Sequence, residues 1–280
     1  MDRQLIPARA SAPAWLAWLA AGLATVAAAA GLFIPDLYRD SDAWIRQAQA
    51  SDLTTLALAV PVLGIGLWQA RRGSALGRLV ALGALAYLAY GYAIFAFAVA
   101  TNPMTPLHYA ILGLSTWSIG LTMAGAGMGT AECSVGSRLP RRRTGVFLLA
   151  MAALFAILWL GQIAASITSG QPALEVQRLG LVTNPVWALD LAFALPAFAV
   201  VGVGLLRNRA SAKAAVLPVL VFAAVMGASI LAIFALDAVA GAAVEIAPVA
   251  LIGAIVAVAA GLIVAATDAV SARQLGTAPR

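Results

Sequence analysis

Long apolar runs separated by short polar stretches dominate the pattern of hydrophobic and polar positions along this chain. A helix that crosses a hydrocarbon core of about 30 Å needs about 20 apolar residues. Bounded by charges, prolines and polar clusters, the runs predict helices at 14–35, 52–70, 78–100, 106–129, 145–168, 184–206, 214–236 and 246–267. The pattern therefore predicts an all-α polytopic transmembrane helix bundle with about eight spans.

The connections between these runs alternate in charge. Basic residues gather in every second connection and at both ends of the chain, namely Arg3, Arg9, Arg71, Arg72, Arg78, Arg138, Arg141, Arg142, Arg143, Arg207, Arg209, Lys213, Arg273 and Arg280. This predicted side holds 14 of the 17 basic residues, whereas most acidic residues lie at or near the other side. Because basic loops stay in the cytoplasm, we expect both termini there. An odd number of spans would put later basic loops on the wrong side.

Composition supports a membrane protein without a separate soluble domain. The chain is 63% hydrophobic and 10% charged, against about 45–50% and 25% in ordinary soluble domains. The longest segments between spans, Asp36–Ser51 and Ser169–Thr183, are too short for a core of their own. The first of them is expected to be an interfacial helix or a disordered loop. The first run extends to about Pro35, so we expect an uncleaved anchor rather than a secretion signal.

The two halves of the chain share one plan, which predicts a duplication. We expect a single membrane domain over 1–280, with four helices in 1–130, a basic cytoplasmic linker at 131–144 and four helices in 145–280. One offset aligns Asp52, Gly64 and Arg71 with Asp190, Gly202 and Arg209, and a slightly different offset aligns LALAVP (56–61) with LAFALP (191–196). Such parallel repeats imply a pseudo-twofold axis along the membrane normal. The alternative is convergent hydropathy.

Polar residues inside the predicted spans are candidates for a site, because polar groups in hydrocarbon are costly and favour protein-facing or hydrated positions. We expect these groups to line an outward-facing polar vestibule with Asp190 at its floor. The alternative is a set of interfacial and capping groups. The candidate ligand-binding residues are Asp190, Tyr90, Tyr87, Gln162, His108 and Trp187.

Residue counts and motifs exclude several kinds of site. The chain has one cysteine, Cys133, and one histidine, His108, so it contains no disulfide and no multi-cysteine or multi-histidine metal site. H-E-x-x-H, a nucleophilic serine motif and a cofactor fingerprint are all absent from the sequence. We therefore predict no metal and no cofactor, and the sequence disfavours an enzyme.

Two segments resemble a family of uncharacterised multi-pass bacterial membrane proteins. The first segment, at 72–95, is RGSALGRLVALGALAYLAYGYAIF and contains Tyr87 and Tyr90. The second, at 184–197, is NPVWALDLAFALPA and contains Asn184, Asp190 and Pro196. The resemblance covers about a third of the chain. It implies a location in the bacterial inner membrane and carries no activity.

Three hypotheses of function follow from these observations. The first is a transporter, a channel or a small-molecule-binding bundle whose site lies between the halves. The second is a structural or accessory subunit that packs against a membrane-protein partner. The third, less favoured, is an enzyme that acts on a lipid or quinone. The arginine clusters are expected to bind anionic lipid headgroups rather than nucleic acid.

Overall fold

The protein is a bundle of long helices. The computed structural model describes residues 14–126 and 129–274, and the described residues contain helices but no strand. In chain order the helices are α1 (Ala14–Phe33), α2 (Asp42–Arg71), α3 (Ala75–Ala98), α4 (Thr105–Ala126), α5 (Thr130–Gly136), α6 (Arg141–Ser169), α7 (Leu174–Leu179), α8 (Pro185–Leu206), α9 (Ala210–Val239) and α10 (Ile246–Gln274). The predicted all-α architecture is confirmed. Arg3, Arg9 and Arg280, on which part of the orientation rests, lie outside the described residues.

Seven of these helices are long and apolar enough to cross a membrane: α1, α2, α3, α6, α8, α9 and α10, the last over Ile246–Thr267. The chain is therefore an integral membrane helix bundle. The remaining long helix, α4, has 22 residues and packs beside α1 and α3. It contains no Asp, Glu, Lys or Arg, but several Ser and Thr residues and His108 make it less apolar than the seven. An eighth span over α4 stays a prediction.

The outer segment predicted over Asp36–Ser51 proves to be mostly helical and continuous with a span. Helix α2 starts at Asp42, where the Ser41 side chain accepts a hydrogen bond from the backbone N–H of Trp44. The Trp44 indole in turn donates to the Ala98 carbonyl at 2.7 Å. Expecting a separate interfacial helix or a disordered loop here was wrong. The capping serine and the buried Trp44 tie the first turns of α2 into the bundle.

Two helices, α2 and α8, each contain one wider π turn followed by a proline. The π turns are Thr55–Ala59 and Asp190–Ala194, and the prolines are Pro61 and Pro196. A proline has no N–H to donate and its ring presses on the carbonyl four residues earlier. A π turn relieves this crowding by shifting the hydrogen bonds to the fifth residue. The turns therefore follow from the two prolines.

The features that follow these π turns also recur at one spacing of 135 positions. Both helices end one residue before a basic C-cap, Arg72 in α2 and Arg207 in α8, and a residue with positive φ comes next, Gly73 or Asn208. The next helices, α3 and α9, then begin at corresponding positions. This spacing matches the LALAVP–LAFALP alignment. It places Thr55, and not Asp52, at the position that corresponds to Asp190.

Helices α3 and α9 pack against each other at the centre of the bundle. Gly83 faces the backbone of α9 so closely that an added Cβ would lie 2.6 Å from the Pro218 carbonyl oxygen and 2.6 Å from Val221 Cβ. Gly83 and Pro218 are themselves 135 positions apart. Residues at equivalent positions meet where two similar halves face each other across a twofold axis. Gly91, eight residues later in α3, has no atom within 4 Å of an added Cβ.

Ion pairs connect helices at opposite ends of the bundle. On the predicted outer side, Arg46 of α2 forms an ion pair with Asp237 of α9 at 2.7 Å, and Arg178 of α7 approaches the same carboxylate at 3.6 Å. On the predicted inner side, Arg78 of α3 pairs with Glu132 of α5. Helix α5 thus fills much of the predicted linker 131–144 and packs against α9.

We expect Gly83→Ala to lower the thermal unfolding midpoint of the purified protein, because the new methyl group overpacks the α3–α9 contact at a cost of about 1–3 kcal/mol. Gly91→Ala in the same helix is the matched control. It gains helix propensity, by about 1 kcal/mol, without a clash, so its midpoint should stay equal or rise. Equal midpoints for the two variants would contradict the close contact at Gly83.

Candidate binding cavity

A cavity of about 140 Å³ lies in the predicted outer half of the bundle, where the two halves of the chain meet. Helices α2 and α3 of the first half and α6, α8, α9 and α10 of the second half line it. Most of the lining is aliphatic or aromatic. The polar residues in the lining are Gln47, Ser51 and Ser229, and Tyr90 and Trp159 add a hydroxyl and an indole N–H. Asp190 is the one charged residue among the described lining residues. This cavity is more apolar than the vestibule predicted from the sequence.

The Asp190 carboxylate is held by two aromatic donors. The Tyr90 hydroxyl donates to Oδ1 and the Trp159 indole N–H donates to Oδ2, both at 2.8 Å. These donors come from α3 and α6, so the carboxylate ties three helices together around one wall of the cavity. An ionised carboxylate offers about four lone-pair sites. Two of them remain after these hydrogen bonds.

Local sequence explains the position of Asp190. Helix α8 starts at Pro185, whose fixed φ suits a first turn, and the Asn184 side chain accepts from the backbone N–H of Val186 at 2.9 Å. Asp190 follows five residues later, about 8 Å along the helix axis. It is the first residue of the π turn that Pro196 imposes. π turns within α-helices are frequent at functional sites.

Aromatic side chains form much of the wall beside Asp190. The ring of Tyr90 meets that of Phe222 edge-on, with centroids 5.6 Å apart, and Phe198 lies 6.0 Å from Phe222. On α6, Phe155 lies 6.0 Å from Trp159. Such edge-to-face and tilted pairs are favourable geometries for aromatic rings. The carboxylate thus sits among rings that hold each other in place.

Helices α6 and α10 both contribute to the lining of the cavity. Met151, Phe155 and Trp159 come from α6, and Ile252 and Ile255 come from α10. Within the described residues, α6 packs along α8 and α10 packs along α9, with almost no direct contact between α6 and α10. In the first half, by contrast, α1 packs directly against α4.

The structure brings some of the predicted site residues together and separates others. Asp190 and Tyr90 line the cavity, and Tyr87 lies behind it, fully buried, with its hydroxyl 3.4 Å from the Ser51 carbonyl and from Ser229 Oγ. Trp187 is buried with its ring centroid 6.4 Å from that of Trp159. This group of predicted residues therefore surrounds one site.

Two predicted residues lie elsewhere. His108 is buried beside the rings of Tyr92 and Phe95, and its Nδ1 has no hydrogen-bond partner among the described residues. Gln162 lines a shallow depression that it shares with Glu175 and Arg178 of the outer segment around α7. Neither residue lines the Asp190 cavity.

Sequence reasoning missed a second buried carboxyl group, that of Asp52, which is 1% exposed. Its hydrogen-bond partner among the described residues is the Tyr38 hydroxyl, at 2.5 Å. Gly31 of α1 leaves room for the pair, because a Cβ there would overlap both side chains. Burial, reinforced by the Asp52 carboxyl group, raises the pKa of Tyr38. The glycine near the end of an alanine-rich helix was the available sequence sign of a close approach.

Comparison with known proteins yields no relative: no family model, curated protein or solved structure matches this chain. Within the described residues, no three His, Cys, Asp or Glu side chains lie close enough together to hold a metal ion. The site must therefore be interpreted from its own chemistry.

The two tyrosine–aspartate pairs should respond differently to loss of the hydroxyl. Tyr38→Phe deprives Asp52 of its partner, so we expect a loss of about 1–3 kcal/mol in the free energy of unfolding. Tyr90→Phe should lower the free energy of unfolding by less, because the Trp159 indole still donates to Asp190 and this carboxyl group lines a cavity instead of being enclosed. Denaturant or thermal unfolding of the two variants in one detergent measures the difference. A larger loss for Tyr90→Phe would contradict this account.

Proposed function

We propose that this chain is a transporter or small-molecule-binding protein of the bacterial inner membrane, and that its ligand occupies the Asp190 cavity. The observation that carries the proposal is a mainly apolar cavity with one charged group, placed where the halves of the chain meet. Ligand sites are commonly clefts of this composition, with a few polar groups that fix orientation. The apolar lining favours an amphiphilic ligand over a strongly hydrated one.

We also propose eight spans, cytoplasmic termini and a parallel duplication of four helices. The recurrence of π turn, proline, cap and helix start at one spacing supports the duplication, as does the contact of Gly83 with Pro218. In parallel repeats, substrate sites lie near the interface of the repeats. Helix α4, 22 residues long and about 33 Å in length, supplies the eighth span in this arrangement.

The cavity also bears on the competing hypotheses. An accessory subunit needs no continuous internal space, so a cavity with a carboxylate on its wall favours ligand binding over that role. An enzyme acting on a lipid or quinone would need a second reactive group besides Asp190 and Tyr90, and the described lining offers no further acid or base. We propose that the inner arginines bind anionic lipid headgroups, because they border the membrane on the predicted cytoplasmic side.

The single native cysteine makes the topology directly testable. In a Cys133→Ala background, Thr101→Cys before α4 and Ser137→Cys after it place thiols on exposed positions at opposite ends of the proposed eighth span. We expect a membrane-impermeant maleimide added to spheroplasts to label position 101, and position 137 only after lysis. Labelling of both positions before lysis would contradict a span over α4.

Filling the cavity should abolish ligand binding without unfolding the protein. Gly91 lines the cavity and has no atom within 4 Å of an added Cβ, so Gly91→Leu projects into free space. Mass spectrometry of small molecules extracted from purified protein should find a species in the unmodified chain that is lost from Gly91→Leu. Gly120→Leu, at an exposed and equally open position of α4, is the control and should retain it. Identical extracts from all three proteins would contradict the proposed site.

A further inference from the structure

The chemistry of the cavity wall identifies a class of ligand, provided that the cavity is the binding site proposed above. We propose that it takes an organic ammonium ion, an amine or quaternary ammonium group carried on an apolar body, with the cationic group beside Asp190. Charge, ring geometry and the character of the remaining lining each support this assignment.

The first argument is charge balance. Asp190 is the one charged residue among the described residues that line the cavity, and neither an arginine nor a lysine is among them. Tyr90 and Trp159 donate hydrogen bonds to its carboxylate but bring no positive charge. A carboxylate among apolar helices is costly unless a cation or enough donors accompany it. Since the wall supplies donors but no cation, the lone pairs that remain on Asp190 are free to pair with a cation carried by the ligand.

The second argument is the arrangement of aromatic rings. Tyr90 and Trp159 are fixed at the two carboxylate oxygens, so a cation that approaches the remaining lone pairs comes close to both side chains. Phe222 and Phe155 extend the aromatic surface from these two residues. Aromatic faces attract organic cations, and aromatic cages recognise quaternary ammonium groups. An anion would meet a carboxylate among these rings and would find no positive charge in the lining.

The third argument concerns the rest of the ligand. Beyond the aromatic rings the wall consists largely of aliphatic side chains such as Met151, Met226, Ile230 and Ile252. A small hydrated cation would lose its water without replacement there. An apolar body fits this lining. The ligand is therefore an amphiphilic cation and not a metal ion or a sugar.

Three small probes of similar shape and different charge test this proposal. Phenyltrimethylammonium carries a permanent positive charge on an apolar body, tert-butylbenzene has the same shape without the charge, and benzenesulfonate is an anion of similar size. Binding of each to the full chain in lipid nanodiscs is measured by equilibrium dialysis, with empty nanodiscs subtracted. We expect saturable binding of the ammonium cation and none of the sulfonate anion. Asp190→Asn should weaken cation binding at least about tenfold.

Matched variants keep the result interpretable. Asp190→Glu retains the charge and should bind the cation more tightly than Asp190→Asn, whereas Glu175→Gln removes a half-buried acid outside the cavity and should leave cation binding unchanged. If the neutral or anionic probe binds as well as the cation, and Gly91→Leu abolishes that binding, the cavity is a binding site but the ammonium assignment is overturned. If Gly91→Leu changes the binding of none of the probes, the proposed function is overturned as well.

Discussion

The placement of carboxyl groups among apolar helices is the constraint on which the outer half of this bundle depends. Asp52 and Asp190 each need hydrogen-bond donors that a hydrocarbon environment does not supply. Tyr38 meets that need for Asp52, and Tyr90 with Trp159 meets it for Asp190. The hydrogen bonds to Asp190 join residues 100 and 31 positions apart, whereas the one to Asp52 joins residues 14 positions apart. The two acids therefore determine which faces of α2, α3, α6 and α8 turn inward.

The prolines impose a second constraint that acts along the same helices. Pro61 and Pro196 each produce a π turn in the preceding residues, and Asp190 begins one of these turns. A π turn changes the direction in which later side chains point relative to earlier ones. The outer ends of α2 and α8 can therefore present polar groups, while Gly66 and Gly202 further along allow close helix packing. In α8 the π turn of the backbone and the Asp190 carboxyl group therefore lie at the same place.

The sequence predicted the spans well because a membrane helix needs a long apolar run, which a hydropathy pattern reveals directly. It predicted Asp190 and Tyr90 because a charged or phenolic group inside such a run stands out. It did not predict that Gln162 and His108 point elsewhere. Helices that are apolar on every face carry little record of their rotation about their own axes, so polar groups at one predicted depth could not be assigned to one site. The Tyr38–Asp52 pair was missed because its tyrosine lies in a connecting segment.

The two halves of the chain differ in how their helices pack. In the first half, α1 packs against α4, and the alanine-rich face of α1 brings the backbone close enough to enclose Asp52 and Tyr38. In the second half, α6 and α10 have almost no direct contact, and Phe155 and Trp159 of the longer α6 line the cavity. Small residues thus allow close packing around Asp52, whereas large aromatic side chains surround Asp190. The Asp52 carboxyl group is therefore enclosed, whereas Asp190 lines a cavity.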